Sequence, residues 1–528
     1  SELPLGFLGR RDIERYLSLA FPGNDFPPDF ADLVHSRTEG SPLFMVDLLR
    51  YLRERGVIAE RGGRWAVARE LPDLRRELPE SVRSMIRRKL DQLRESDRRL
   101  AAAASVQGPE FDSAVVAGAL GLDAAEVEER LQALDRVHGL VRRVREGELP
   151  DRTLTVRYAF VHVLYQQALY AELSPTRRAV LGAALARVLQ GHQGEHAPAV
   201  AGELACLYEV GRDFARAARC FHLAARNAAR VFAHREALAL ARRGLGLLGS
   251  LPESPERDAL ELPLQTTLGL QLQVTDGYAA PAAEAAYARA CELCRRSPGS
   301  APLFPVLWGM WLFSKVRSDL ARAQERADEL LALARRSNDP DLALQAHQAL
   351  GITAFCRGEP SGAFQHVEQA TALYDPDRHR THAFLFGQDP AVICKSYGAV
   401  ALWLLGYPEQ AERQSDGAIA ASRELSPSSQ AVALHFAAML HQLRRDGRRA
   451  RACAEASSAL AAEHGFSFWL AGGTVLGGWA LAACGEAGDG TARLRQGLRD
   501  WVATGSLTYQ TYYLGLLAEV LIGRGELK

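Results

Sequence analysis

From about residue 195 to the end, alanine-rich stretches of helical period alternate with short Gly, Asp or Pro breaks. Self-similarity on that scale is the sequence signature of stacked helical pairs. One unit has Leu204, Ala205 and Tyr208, then the break Gly211-Arg212-Asp213, then Ala217, Phe221 and Ala224. Another has Leu350-Gly351, the break Arg357-Gly358-Glu359-Pro360, then Ala363, Val367 and Ala370. Small residues at such places let two antiparallel helices approach closely, while aromatic residues fill the space between neighbouring pairs.

These positions match the tetratricopeptide pattern. The small residues that open the second helix of successive pairs, Ala323, Ala363, Ala411, Ala450 and Ala492, are spaced 40, 48, 39 and 42 apart. The common tetratricopeptide repeat has a period of about 34, so these helices or loops are longer. The 48-residue step holds a polar insertion from Tyr374-Asp375-Pro376 to Gly387-Gln388-Asp389-Pro390. Proline on both sides marks it as irregular.

Residues 1 to about 173 carry fewer alanines and more mixed charge. A helix over Leu43–Arg55 ends at Gly56, and Gly62–Val67 reads as a short strand or turn. Helices follow over Arg98–Val106, Ser113–Leu120 and Ala124–His138, the last with Asp123 as its N-cap. The segments 140–144 and 154–160 then alternate on a period of two around Gly147–Pro150, as a hairpin does. Three helices and a hairpin are the order of a winged helix. DNA contact is disfavoured, because the would-be recognition helix holds Asp123, Glu126, Glu128, Glu129 and Asp135 against Arg130 and Arg136. Arg142, Arg143 and Arg145 read as a solvated edge strand.

Sixty-three basic and 63 acidic residues leave no net charge to draw in nucleic acid or anionic lipid. No stretch approaches the roughly 18 uncharged apolar residues of a membrane span. The start, Ser1-Glu2-Leu3-Pro4, is no secretion leader, so the expected compartment is the cytoplasm. The eight cysteines lie in helix-like segments and read as reduced, small hydrophobes. Cys291 and Cys294 lack the second pair that a structural zinc site needs, and no metal is expected. The oxygen and imidazole groups of Asp375, Asp377, His379, His382 and Asp389 are read as belonging to a structural loop or a partner contact. The four lysines, Lys89, Lys315, Lys395 and Lys528, all fall outside a Gly-x-x-x-x-Gly-Lys-Ser/Thr frame. The phosphate-binding loop of a nucleotide hydrolase is absent, and no catalytic set has an interpretable spacing.

Several segments together resemble a known family, the STAND-class signalling ATPases of bacteria, which join an ATPase core to a winged-helix-like domain and a long tetratricopeptide-like array. Thr38-Glu39-Gly40-Ser41-Pro42-Leu43-Phe44 resembles the Gly-x-Pro-Leu segment of the lid after that core. Leu78–Arg83, and Phe160–Tyr165 with Ala168-Leu169-Tyr170, are similar to the linker and post-wing segments. Leu373–Pro376, His379-Arg380, Ala383-Phe384 and Gly387–Pro390 resemble arrays fused to class III nucleotide cyclases or protein kinases.

The resemblance covers nearly the whole chain. It implies a mainly α fold with a helical lid remnant over residues 1–78, a winged-helix-like domain over 79–173 and a right-handed α-solenoid over 174–528. By the same resemblance Pro42 would pack on adenine and His162 would meet the phosphates of ATP or ADP, in both cases only with the missing ATPase core. The array stops in mid-unit after Leu514–Gly523, so the chain is expected to be a fragment of a longer protein. The function implied is non-catalytic regulation, with a protein or peptide bound in the groove of the array and an effector domain elsewhere. Trp308, Trp311, His379, Gln388 and Asp389 are the candidate partner contacts. The alternatives are a nucleotide hydrolase completed in trans and a DNA-binding regulator.

Overall fold

The structure is a computed structural model, and it describes residues 8–38, 40, 42–54, 56–61, 64–67, 80–296, 303–379, 382 and 386–526. Ser41, Gly62-Gly63, Leu78-Pro79, Arg380 and Ala383-Phe384 lie outside the described residues. The chain divides into two compact units, Ser1–Asp213 and Phe214–Lys528.

In the first unit, α1 (Arg10–Ala20), α2 (Phe30–Thr38) and α3 (Pro42–Glu54) bury Ile13, Leu17, Val34, Met45 and Leu52 in one core. Strands β1 (Ile58–Arg61) and β2 (Arg64–Val67) pair antiparallel, with Ile58 opposite Val67. The sequence showed only the second strand. Next come α4 (Glu80–Asp91), α5 (Glu95–Gln107), β3 (Glu110–Asp112), α6 (Ser113–Leu120), α7 (Ala124–Arg136), β4 (Val141–Glu148), β5 (Leu154–Phe160) and α8 (Val163–Glu172). The side chain of Asp123 caps α7 by accepting the Glu126 N–H at 3.1 Å. Strand β3, too short to show a period, joins the hairpin in the order β3-β5-β4 and places buried Phe111 opposite Tyr158.

Two further helices, α9 (Pro175–Gln193) and α10 (Ala201–Val210), complete this unit, separated by a 3₁₀ segment. They cross so closely that a Cβ on Gly182 would lie 2.8 Å from the Gly211 nitrogen. The sequence pattern pairs residues 204–208 with 217–224. In the structure α10 packs on α9, and the following helix packs on its own successor.

The second unit is a solenoid of antiparallel helices. Its elements are α11 (Phe214–Arg230), α12 (His234–Leu248), α13 (Pro255–Thr275), α14 (Pro281–Arg296), α15 (Leu303–Val316), α16 (Leu320–Ser337), α17 (Pro340–Cys356) and α18 (Pro360–Leu373). After a helical turn at Pro376–His379 come α19 (Pro390–Leu404), α20 (Pro408–Ser422), α21 (Pro427–Leu443), α22 (Gly447–His464), α23 (Ser467–Ala483), α24 (Ala487–Ala503) and α25 (Gln510–Gly523). Proline at the first turn and Asp or Ser at the cap recur, as at Asp339-Pro340 and Ser426-Pro427, because a first-turn residue needs no N–H and the cap oxygen takes an orphan donor.

Ala323, Ala363, Ala411 and Ala450 are each the fourth residue of their helix and almost fully buried. Ala492 is exposed, so it is not the corresponding position. In α24 the fourth residue is Gly490, which is buried at the crossing with α23. A Cβ on Gly490 would lie 2.6 Å from the Gly478 carbonyl oxygen and 2.7 Å from the Ala482 nitrogen. Both are backbone atoms, which cannot swing away. G490A therefore costs about 3 kcal/mol by overpacking. G417A, in α20 with nothing within 4 Å of the added carbon, gains about 1 kcal/mol of helix propensity. Thermal melts of the full chain check this, with the Tm lowered by the first change and raised by the second.

Candidate functional site

The inner side of the second unit is where distant repeats meet. Lys315, near the end of α15, donates from Nζ to the Tyr397 hydroxyl of α19 at 3.1 Å. Tyr509, just before α25, donates to the same oxygen at 2.8 Å. The Lys315 ammonium also lies over the rings of Tyr397 and Tyr509, 5.7 and 5.2 Å from their centroids. Burial works against its charge, while Tyr397 and Cys356 favour it, and the balance holds its pKa above the ordinary lysine value. Burial pushes both tyrosines up, so they act here as neutral hydrogen-bonding groups.

The turn between α24 and α25 closes over this centre. The N–H groups of Leu507 and Thr508 donate to the Val316 carbonyl at 2.9 and 3.0 Å, and the Arg317 guanidinium donates to the Gly505 carbonyl at 3.0 Å. Tyr278 sets its ring edgewise to Phe468 at 5.0 Å, and its hydroxyl accepts from Gln388 at 2.8 Å. An open groove was expected along the array. Between Tyr278 and Tyr513 one continuous cluster of buried aromatic and aliphatic side chains joins these helices.

This arrangement fixes the place of each expected partner contact. Trp308 and Trp311 lie in the interior, 4% and 1% exposed, and the Trp311 indole donates to the Thr353 hydroxyl at 2.9 Å. Asp389 is fully buried and caps α19, accepting from the N–H groups of Ala391 and Val392 and from the Tyr374 hydroxyl. Burial raises its pKa, against the pull of those hydrogen bonds. Gln388 is half-buried against Tyr278.

His379 is buried, its Nδ1 accepting the Asp375 N–H at 2.8 Å and its Nε2 meeting Asp341 Oδ1 at 3.0 Å. With His382 these residues offer three ligand atoms within 4.8 Å of one another. An imidazole that accepts at Nδ1 carries its proton on Nε2, where it donates to the carboxylate. Ligation through Nε2 would move that proton onto Nδ1 and turn it against the Asp375 N–H. The group therefore staples the insertion to α17, as does the hydrogen bond between His382 Nδ1 and Gln345 Nε2 at 2.9 Å.

The two residues expected near a nucleotide both lie in the first unit. Pro42 is exposed at the first position of α3. The preceding Gly40 has φ +76°, and a Cβ there would lie 2.2 Å from the Leu8 carbonyl oxygen, so only glycine fits. His162 caps α8, Nδ1 accepting from the Leu164 N–H at 3.1 Å, while Nε2 reaches the carbonyl of Thr38 at 3.0 Å, at the end of α2. The histidine is 1% exposed and ties the end of α2 to the segment after the hairpin. On the β4 edge, Arg142, Arg143 and Arg145 are exposed, and Arg143 is paired with Glu146.

Two clefts remain. One of about 220 Å3 in the first unit is lined by Asp112, Arg157 and Glu203 among others. Burial raises both carboxyl groups, but each already has a partner, Arg157 at 2.7 Å from Asp112 and Gln107 at 2.8 Å from Glu203. A larger cleft of about 510 Å3 on the second unit is lined by Glu284, Tyr287, Phe313, Arg317, Arg322 and Arg326, with both charge signs on its walls. No described helix is long and apolar enough to cross a membrane. Among the cysteines, Cys294 and Cys394 are buried, whereas Cys206 and Cys484 are exposed.

No family model matches the chain. An uncharacterized protein of Rhizobium meliloti (strain 1021) is 27% identical over 394 residues, which are 74% of this chain and 37% of that protein. The chain thus spans little more than a third of this relative's length. Among solved structures, a STAND protein with a tetratricopeptide repeat sensor from Pyrococcus horikoshii is similar with a TM-score of 0.46 at 11% identity, covering 99% of this chain and 70% of that one. A Rap protein complexed with competence and sporulation factor gives 0.43 at 12% identity, covering 59% and 88%. Likenesses this distant add nothing to the helix pairing described above, which by itself defines a mainly α, helical-repeat protein.

Sequence reasoning missed Lys315 and Asp341. Lys315 had a signal, a single charge in the otherwise uncharged helix Leu303–Val316. Asp341 had none, because its partnership with His379 joins two segments across the insertion.

The buried histidines make the second unit acid-sensitive. His435, fully enclosed, is driven by burial from 6.5 down to about 3, and His222 down to about 4. A depressed histidine is neutral when folded, whereas the unfolded chain takes up a proton below about pH 6.5. Stability is therefore full above that value and falls as the pH drops toward the folded pKa. His435 alone accounts for about 2 kcal/mol lost by about pH 5. Melting the full chain between about pH 7 and about pH 5 should show a falling Tm, and H435Q should flatten the slope.

Proposed function

We propose that this chain is a non-catalytic regulatory and interaction region of a larger STAND-type signalling ATPase. In this reading the second unit senses a ligand or partner. The first unit, with its lid helices and winged-helix-like order of elements, couples that event to an ATPase core. The observation that carries the sensor role is the closure of the array around Lys315, Tyr397 and Tyr509. A binding event at residues so far apart in sequence has differential contacts with the closed and opened arrangements, which is what shifting an equilibrium requires. The coupling role draws on His162, which links α2 to α8 across the first unit. Any ligand of this kind belongs to the whole protein.

Calorimetric titration of the chain with ATP and ADP should give no saturable heat, and micromolar binding would favour a nucleotide hydrolase completed in trans. In parallel, immobilised residues 214–528 should capture the same partner as the full chain. Capture by the full chain alone would remove the sensor role from the array.

A further inference from the structure

A cavity of about 30 Å3 lies at the centre of the second unit among Trp308, Lys315, Gln348, Gln388, Tyr397 and Trp469. One water occupies roughly 10–15 Å3 on this scale, so the space accepts about two waters or the two oxygens of a carboxylate. Its lining has more donors than acceptors. Lys315, 4% exposed, has three N–H donors, and Tyr397 supplies an acceptor to one. The groups that set its charge are Tyr397 and Cys356, with no Asp or Glu among them. The Tyr397 oxygen already accepts from Lys315 and Tyr509, so its own proton points to neither. The Trp308 indole N–H is buried without a hydrogen-bond partner, and so is the Gln348 side-chain oxygen. Both residues are less than 5% exposed.

Buried donors left unpaired are costly, and a buried ammonium without a counter-charge costs more. The donors Lys315, Trp308 and Tyr397 come from α15 and α19 and the acceptor Gln348 from α17, and Tyr509 ahead of α25 supports them, so the gap is not an accident of one helix. We propose that the cavity is a binding site for a small carboxylate anion, whose oxygens take the N–H groups of Lys315 and Trp308 and the hydroxyl proton of Tyr397. The site names a ligand class for the array and so builds on the sensor reading. Its test is binding alone, so failure here leaves partner capture by residues 214–528 standing.

The test is a thermal-shift titration of the full chain with sodium formate and sodium acetate, at constant ionic strength against sodium chloride. The expected result is a Tm rise that saturates with both carboxylates, at lower concentration for the smaller formate, and is absent with chloride. W308F keeps the aromatic ring and removes one donor, weakening the apparent affinity about tenfold. K315M abolishes the response. If K315M does not fold, W308F decides the matter. No saturable shift with either carboxylate, the same shift with chloride, or an undiminished response in W308F overturns the proposal.

Discussion

The second unit depends on how closely two backbones can approach. Where α23 crosses α24, Gly478 and Gly490 face each other with no room for a methyl group on either. The fully buried alanine at the fourth position of α16, α18, α20 and α22 does the same work less extremely. Close crossings leave little for large side chains to do between paired helices, so the bulk is carried on the inner helices. That displacement puts Trp308, Trp311, Tyr397, Phe436, Trp469 and Tyr513 toward one another, and their mutual packing closes the array.

A filled centre of this size cannot be wholly apolar. Its hydroxyl, indole, amide and imidazole groups are carried in with the aromatic and polar side chains, and each must find a partner or cost about 1–3 kcal/mol. Most do, through pairs such as Trp311 with Thr353, Gln388 with Tyr278 and Tyr512 with Gln442. Among the exceptions, Trp308 and Gln348 line the cavity beside Lys315. A methionine there would give a cheaper core, so the charge has a use beyond packing, and placing that use in ligand contact accounts for the unpaired donors beside it.

What the sequence reveals follows the range over which each interaction acts. Helix period, caps and breaks are local, and Ser113–Leu120, the Asp123 cap and the fourth-position alanines can be read directly. Gly490 and Ala492 are both small and two residues apart, and only the packing of α23 tells them apart. The β3 strand is too short for a period of two to register. For the site, the aromatic residues are visible but their direction is not, because whether a tryptophan faces an open groove or a closed centre depends on helices far along the chain. The hydrogen bonds of Leu507 and Thr508 to Val316 leave no trace in composition or spacing, so neither does the closure they bring about.

The energies of that closure are of the size a ligand can tip. Two backbone hydrogen bonds to Val316 contribute about 1 kcal/mol each, net of water. A ligand present at about ten times its Kd adds about 1.4 kcal/mol to whichever arrangement binds it. Lys315, Gln348 and Tyr397 sit on three different helices, and Tyr509 joins them only while the α24–α25 turn is docked. Undocking that turn would withdraw Tyr509 from Tyr397 and expose the cavity to water, weakening every interaction in it. An anion held there favours the docked turn by necessity, and linkage makes the reverse equally true: whatever holds the turn in place raises the affinity for the anion.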